Sequence, residues 1–271
     1  PEQIHRILMS LFQNFSLLPQ VEISLEANPA TLDGIRLQEL KNAGINRISL
    51  GVQSFRDEEL KILGRLHTAR EARQATEDII AAGFDNFNLD LIYGIPGQNL
   101  ADWRYNLQMA VDCQPKHISA YLLQLDPSVP LAKQISAGKY TDLTEDMQAD
   151  MYDAALDYLV GEGFHHYEIS NFAWPGYECK HNLIYWQAGQ YLGLGPGAVS
   201  FRDGRRWINR EIAACGETAT GMVETEILET MNDHDRFIDA VILGLRMTQG
   251  ISRQHFIERF GIDFAREYHS I

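Results

Sequence analysis

Cysteine is scarce in this chain: Cys113, Cys179 and Cys215 are the three present in 271 residues, an odd number at wide spacing. That excludes a disulfide framework and suits a reducing compartment. Basic residues are also short, 23 Lys and Arg against 37 Asp and Glu, for a formal charge of −14. A partner held through its phosphate backbone calls for the opposite balance, so the composition argues against nucleic acid. Apolar runs of the roughly 20 residues that span a bilayer do not occur, and no signal-peptide pattern opens the chain. What is there is an ordinary globular composition, 45% hydrophobic, enough for one large domain and a smaller appendage. Because it starts at Pro1, inside an apolar-periodic helix, the chain is expected to be a fragment of a longer protein.

Three stretches alternate polar and apolar residues with period two. In 21–28, Glu22, Ser24, Glu26 and Asn28 alternate with Val21, Ile23, Leu25 and Ala27. In 46–53, Arg47, Ser49, Gly51 and Gln53 alternate with Ile48, Leu50 and Val52. In 87–93, Asn88, Asp90 and Ile92 alternate with Phe87, Leu89, Leu91 and Tyr93. Successive side chains of a strand point to opposite faces, so each stretch predicts a strand with one polar face. Two more strands are expected at 117–125 and 165–172. The stretch 94–97, Gly-Ile-Pro-Gly, predicts a tight turn after the third strand.

Amphipathic segments of helical length lie between these strands, at 32–43, 57–63, 69–82, 100–112 and 145–161. Alternating strands and helices imply a mainly parallel sheet with right-handed crossovers. Parallel sheets are normally apolar on both faces. Helices can cover only one face here, so the polar one should line an open β/α barrel, where a polar ligand or water satisfies its groups. In such barrels ligand groups sit at the C-terminal ends of the strands, where Glu26, Asn28, Gln53, Asp90, Gly94 and Gln124 fall. Singly, Glu26 or Asp90 also reads as a satisfied structural carboxylate, Gln53 as a turn amide and Arg65 as a surface charge. Their common end and face favour the ligand.

Residues 179–186, CKHNLIYW, predict a short helix on which His181 and Tyr185, four apart, share a face with Trp186 beside them. An imidazole among aromatic and aliphatic groups is what an iron porphyrin uses for ligation and packing, although such residues equally fill cores. The glycine-rich 191–201 lacks the Gly-Lys-Ser/Thr ending of a phosphate loop and reads as a bent strand or hairpin. Asp203-Gly204 is a hairpin turn signal. From Glu224 onward the pattern turns helical.

In the order SLEANP, RISLGVQSF, NLDLIYGIPGQ, YEISNFA and HNLIYW, these motifs closely resemble the HemW heme chaperones. That family lies in the radical S-adenosylmethionine (SAM) superfamily, related to oxygen-independent coproporphyrinogen III dehydrogenase. The resemblance implies an α/β fold: a partial, open (β/α) barrel of radical SAM type over 1–210 and an incomplete helical, winged-helix-like module over 211–271. It implies that Glu26, Gln53, Arg65 and Asp90 hold polar groups of SAM and that Ile92 and Ala120 pack near its adenosine. His181 becomes the candidate heme contact and iron ligand, with Tyr185 and Trp186 as packing partners. The superfamily's C-x3-C-x2-C motif for a [4Fe–4S] cluster is absent, as is the GGGTPS-like segment. Both are expected upstream of Pro1, so no cluster ligand is assigned in this chain. The implied function is a cytoplasmic heme chaperone, with SAM and a cluster in the parent protein, that passes heme to an acceptor such as a membrane respiratory protein. The alternative is the oxidative decarboxylation carried out by the related dehydrogenase.

Overall fold

The computed structural model describes residues 1–210 and 224–267, packed as two compact units, Pro1–Glu178 and Cys179–Ile271. The sequence pattern changes later, and its expected division fell at 210/211.

In the first unit the chain runs α1 (Glu2–Asn14), β1 (Ser24–Ala27), α2 (Gly34–Ala43), β2 (Arg47–Gln53), α3 (Asp57–Ile62), α4 (Ala69–Ala81), β3 (Phe87–Tyr93), α5 (Leu100–Asp112), β4 (His117–Leu122), α6 (Pro130–Ser136), α7 (Glu145–Gly161), β5 (His165–Glu168) and β6 (Asn171–Ala173). The strands form a six-stranded sheet in the order β1-β2-β3-β4-β6-β5. β1 to β4 are parallel, as alternation with helices requires. The expected fifth strand is instead two short antiparallel strands, β6 pairing with both β4 and β5. The cause is local: the Glu168 carboxylate accepts the Ser170 N–H at 3.2 Å and an Asn171 amide hydrogen, folding Ile169 and Ser170 into a turn.

Ile48, Leu50 and Val52 of β2, Leu89 and Leu91 of β3, and Ile118 and Ala120 of β4 face one core. Leu37 and Leu40 of α2, Ala72 and Ile79 of α4, Trp103 and Leu107 of α5, and Ala155 and Leu159 of α7 complete it. Each fully buried Leu or Ile there contributes about 1.5–3 kcal/mol. The caps explain where the helices start. Asp33 caps α2 by accepting the Arg36 N–H. Thr68 and Asn99 form capping boxes with Glu71 and Asp102 at α4 and α5. Neither Ser54 nor Asp57 caps α3, whose N-cap is Arg56.

The second unit contains α8 (Lys180–Trp186), β7 (Val199–Arg202), β8 (Arg205–Asn209), β9 (Thr225–Thr230), α9 (Asp233–Gly244), α10 (Arg253–Phe260) and α11 (Phe264–Glu267). Asp203 and Gly204, at φ 51° and 76°, make the expected two-residue turn between β7 and β8. β9 overturns the reading of everything after Glu224 as helical. It is almost wholly exposed, so no buried stripe marks it in the sequence. It is held by backbone pairing to β8 and by ion pairs of Arg206 with Glu229 and Arg210 with Glu226. Phe237 of α9 packs edge-on to Phe256 and Phe260 of α10, with ring centroids 5.8 and 5.7 Å away.

Candidate functional site

The polar residues of β1 to β4 lie on the face of the sheet opposite the core, and the register sets them side by side. Ser24 is opposite Arg47, Glu26 opposite Ser49, Ser49 opposite Asn88 and Asp90 opposite Ser119. Asn88 Nδ2 donates to Ser49 Oγ at 2.7 Å and to Asp90 Oδ1 at 2.8 Å, and Ser49 Oγ donates to Asp90 Oδ2 at 3.2 Å. Those bonds leave Asn88 Oδ1 as an acceptor, reached by Ser119 Oγ at 3.2 Å and His117 Nδ1 at 2.7 Å. His117 therefore carries its proton on Nδ1, and its Nε2 accepts from the Tyr167 hydroxyl at 2.8 Å. Burial, then the positive charge of Arg47, hold His117 well below its usual pKa, so it is neutral. Burial raises the pKa of Asp90, and the nearby Glu26 charge adds to it, against hydrogen bonds from Asn88, Ser119 and Ser49.

Gln53 closes β2 with a left-handed backbone, φ 68°, at a register irregularity between Leu50 and Gln53. Such a conformation in a non-glycine residue is held by its surroundings. A Cβ on Gly51 would sit 2.9 Å from Gln53 Nε2 and 3.4 Å from Asn28 Oδ1, so the glycine leaves room for two amides to converge at the strand ends. Behind them lies a second layer that the sequence reading missed. Glu59, 4% exposed, accepts from Ser54 Oγ (2.7 Å), Asn106 Nδ2 (2.8 Å) and Gln98 Nε2 (3.0 Å). Burial raises its pKa despite those bonds and the adjacent Arg56. Gln98 Oε1 accepts the Gly94 N–H at 2.9 Å, so Glu59 connects the segment after β2 to the turn after β3. An acidic residue on a short helix reads as solvated; a serine five residues before it and Gln98 in the next loop were the available signals.

Of the residues expected to hold SAM, Glu26 and Asp90 are brought together across Ser49, and Gln53 lies at the end of the same β2 strand. Ile92 shares the face of Asp90 and is opposite Tyr121. Ala120 is 4% exposed beside Leu91 on the other face, in the apolar core, so its side chain does not join the group. Arg65 is exposed beyond α3, and among the described residues its side chain makes no hydrogen bond or ion pair.

On α8, His181 and Tyr185 meet edge to face at 4.9 Å, and Tyr185 meets Tyr191 at 4.6 Å. Trp186 does not join them. Five residues from His181 on a helix of 3.6 residues per turn, it points elsewhere and stacks under the Arg246 guanidinium, 4.3 Å from its ring centroid. Cys113 follows α5 and Cys179 precedes α8, in separate units, and Cys215 lies outside the described residues. Among the described residues no group of three or more His, Cys, Asp or Glu is placed to hold a metal ion, and no helix is long and apolar enough to cross a membrane.

Residues 2–110 match the family model described as the Radical SAM superfamily. Coproporphyrinogen III oxidase (HemN) from Escherichia coli, whose structure is described as that of a radical SAM enzyme, aligns over 99% of this chain and 65% of its own, with TM-score 0.79 at 20% identity. Residues 2–110, which hold β1 to β3 and their polar face, are thus a radical SAM domain. Within that superfamily, the heme chaperone HemW of Synechocystis sp. is 38% identical over 265 residues, 92% of this chain and 61% of the relative. The HemW of Lactococcus lactis subsp. lactis is 32% identical over 267 residues, 98% of this chain and 70% of the relative. The chain belongs to the HemW heme chaperone family. It spans from 61% to 70% of these two relatives' length.

Proposed function

We propose that the protein of which this chain forms part is a heme chaperone that binds SAM on the polar face of the sheet and delivers heme to an acceptor protein. The observation that carries this reading is the polar strip in which Glu26 stands opposite Ser49 in register and Ser49, Asn88, Asp90 and Ser119 are joined by hydrogen bonds, on a chain of this family. The strip fits SAM chemically. Glu26 and Asp90 are carboxylates for ribose hydroxyls or a cationic centre, Gln53 is a fixed amide beside the space kept open by Gly51, and Ile92 gives an apolar surface. Arg65, exposed nearby in sequence, is the proposed partner of the SAM carboxylate, and Ala120 would act only from behind the sheet. SAM, when bound, supplies an activated adenosyl group. The residues of this chain orient it and keep Asp90 within a fixed network.

Heme contact is proposed for α8, with His181 as an iron ligand and Tyr185 as its packing partner; Trp186 serves the opposite side of that helix. We further propose a cytoplasmic location and a membrane respiratory protein as acceptor, and we read the protein as a carrier before an oxidoreductase. Two titrations test the core of this. Calorimetry with SAM should show saturable binding that Glu26→Gln and Asp90→Asn each weaken by about tenfold or more. Hemin should give a saturable Soret change. Unchanged SAM affinity in both variants, or an absent Soret change, defeats the corresponding half.

A further inference from the structure

The first unit holds a cavity of about 520 Å³ at the end of the sheet where the strands begin, away from Gln53 and Gly94. Phe87 opens β3 there and Lys116 immediately precedes β4. The size lies within the range of small-molecule sites. Buried Phe84, Phe87 and Phe164 form apolar walls with the Trp174 ring, which Phe164 meets edge-on at 6.2 Å.

This cavity already holds an ammonium. Lys116 Nζ lies 5.1 Å from the Trp174 ring centroid and 5.8 Å from that of Tyr177. Backbone pairing fixes the arrangement: the Lys116 N–H donates to the Phe87 carbonyl at 3.3 Å, and the Trp174 N–H donates to the Lys116 carbonyl at 2.9 Å. Tyr177 is tied down by its hydroxyl, which donates to Asp85 Oδ2 at 2.5 Å. Among the described residues the Lys116 ammonium makes no hydrogen bond and no ion pair. Lys41, which also lies against a ring, that of Phe84, instead donates to the Ala82 and Gly83 carbonyls at 3.1 and 2.6 Å.

The walls set the sign of the field. Ile80 and Val111 lie in the last turns of α4 and α5, and Glu162 follows α7, so three helices point their C-terminal ends here. Such ends carry partial negative charge, which a basic residue in the last turn normally answers. None of the three helices has one. α5 ends on Asp112 and α7 is followed by Glu162, and both carboxylates act on Tyr158, whose pKa is raised by burial first and then by them. With Asp85 and Glu162 in the lining against Lys116 as its one cation, the surroundings favour a positive guest and oppose an anion.

We propose that this cavity is an aromatic cage for a methylated organic ammonium, a choline-like cation, that takes the place of the Lys116 side chain. Ring faces attract cations, and a methylated ammonium donates no hydrogen bonds, so it loses nothing where no acceptor is offered. A primary amine gives up its water there without replacement. Lys116 fills the cage in the absence of the guest. Its stem is flexible and half-buried, and ring faces alone hold it, so it swings out to water when the guest enters. The site lies at the opposite end of the strands from Gln53 and is independent of the SAM reading.

Calorimetric titration with choline tests this on the 271-residue chain and on Lys116→Met, Trp174→Leu and Trp174→Phe. Ethanolamine serves as the unmethylated counterpart, and phosphatidylcholine vesicles distinguish a lipid headgroup from a free cation. Trp174 is 43% exposed, and each replacement keeps apolar bulk, so the variants fold; unchanged circular dichroism and melting temperature check this. Lys116→Met should bind choline about tenfold more tightly than wild type, because its cage no longer has to be emptied. Trp174→Leu should weaken binding about tenfold while Trp174→Phe keeps most of it. Ethanolamine should bind about tenfold more weakly than choline. Vesicle binding that Trp174→Leu removes would make the headgroup the source; choline binding without it would make the source the free cation. Equal or weaker choline binding by Lys116→Met overturns the proposal. So does ethanolamine binding as tight as that of choline, or no choline binding by either the wild type or Lys116→Met.

Discussion

The Gln98 amide bridges Glu59 and Gly94: its nitrogen donates to Glu59 Oε2 at 3.0 Å while its oxygen accepts the Gly94 N–H at 2.9 Å. One buried carboxylate thereby sets the turn that follows the Asp90 strand. Removing it orphans Ser54, Asn106 and Gln98 at once, so Glu59→Ala should cost about 3 kcal/mol of stability. Glu59→Gln keeps the shape but cannot accept from every donor, and should cost about 1 kcal/mol. Urea unfolding of the two variants checks the order. Equal stabilities would mean that the turn is held elsewhere.

Asp90 trades stability for its site. Its folded-state pKa is raised chiefly by burial, with the Glu26 charge adding. Between the unfolded value of 3.8 and that raised value the folded chain binds more protons than the unfolded one. Stability therefore falls as pH rises through this window, and the full penalty applies above it. Asp90→Asn should thus raise stability at neutral pH by about 1 kcal/mol and abolish or weaken SAM binding. Glu59 has the same sign, its pKa also raised from 4.5 by burial. Denaturation midpoints measured from pH 4 upward should show a flatter profile in Asp90→Asn. A destabilised variant at neutral pH would contradict the burial cost.

His117 titrates in the opposite sense. Burial and Arg47 depress its pKa well below 6.5 in the folded chain, so the unfolded state takes up the proton first. Its contribution to stability is complete above the unfolded value and is lost as pH falls below it. Nitrogen-15 NMR of the imidazole should show neutral His117 with the proton on Nδ1 across pH 6 to 8. A proton on Nε2 would break the chain from Tyr167 to Asn88 and require the Asn88 amide to be turned over.

The sheet was legible because its chemistry repeats every second residue. Glu26, Ser49 and Asp90 declared a polar face, and the register brings them side by side. The same period puts Ala120 on the apolar face, one residue from Ser119, although motif likeness alone placed it with Ile92. Glu59 was hidden because a charged residue on a six-residue helix gives no sign of burial until Gln98 and Asn106 arrive from elsewhere in the chain. Trp186 was grouped with His181 by proximity in sequence, where five helical residues turn it away. The Glu168 turn and β9 were missed for complementary reasons: a side chain broke one strand, and backbone pairing without burial made another.

Gly51 separates binding from folding most cleanly. Its missing Cβ leaves space where Gln53 Nε2 would be 2.9 Å away, and that atom is the free end of a flexible side chain. Gly51→Ala therefore displaces the amide without forcing the backbone, since Gly51 is not among the residues with positive φ. In mid-strand, alanine also restricts the unfolded chain more than glycine does, which offsets part of the cost. The net loss of stability should stay within about 1 kcal/mol. SAM affinity should nonetheless drop by about tenfold, because an amide pushed from its position forfeits a hydrogen bond to the ligand and leaves a polar group unmatched. Thermal unfolding and calorimetry on the same sample give both quantities. A variant that melts far earlier than wild type, or one that binds SAM unchanged, would remove Gln53 from the site.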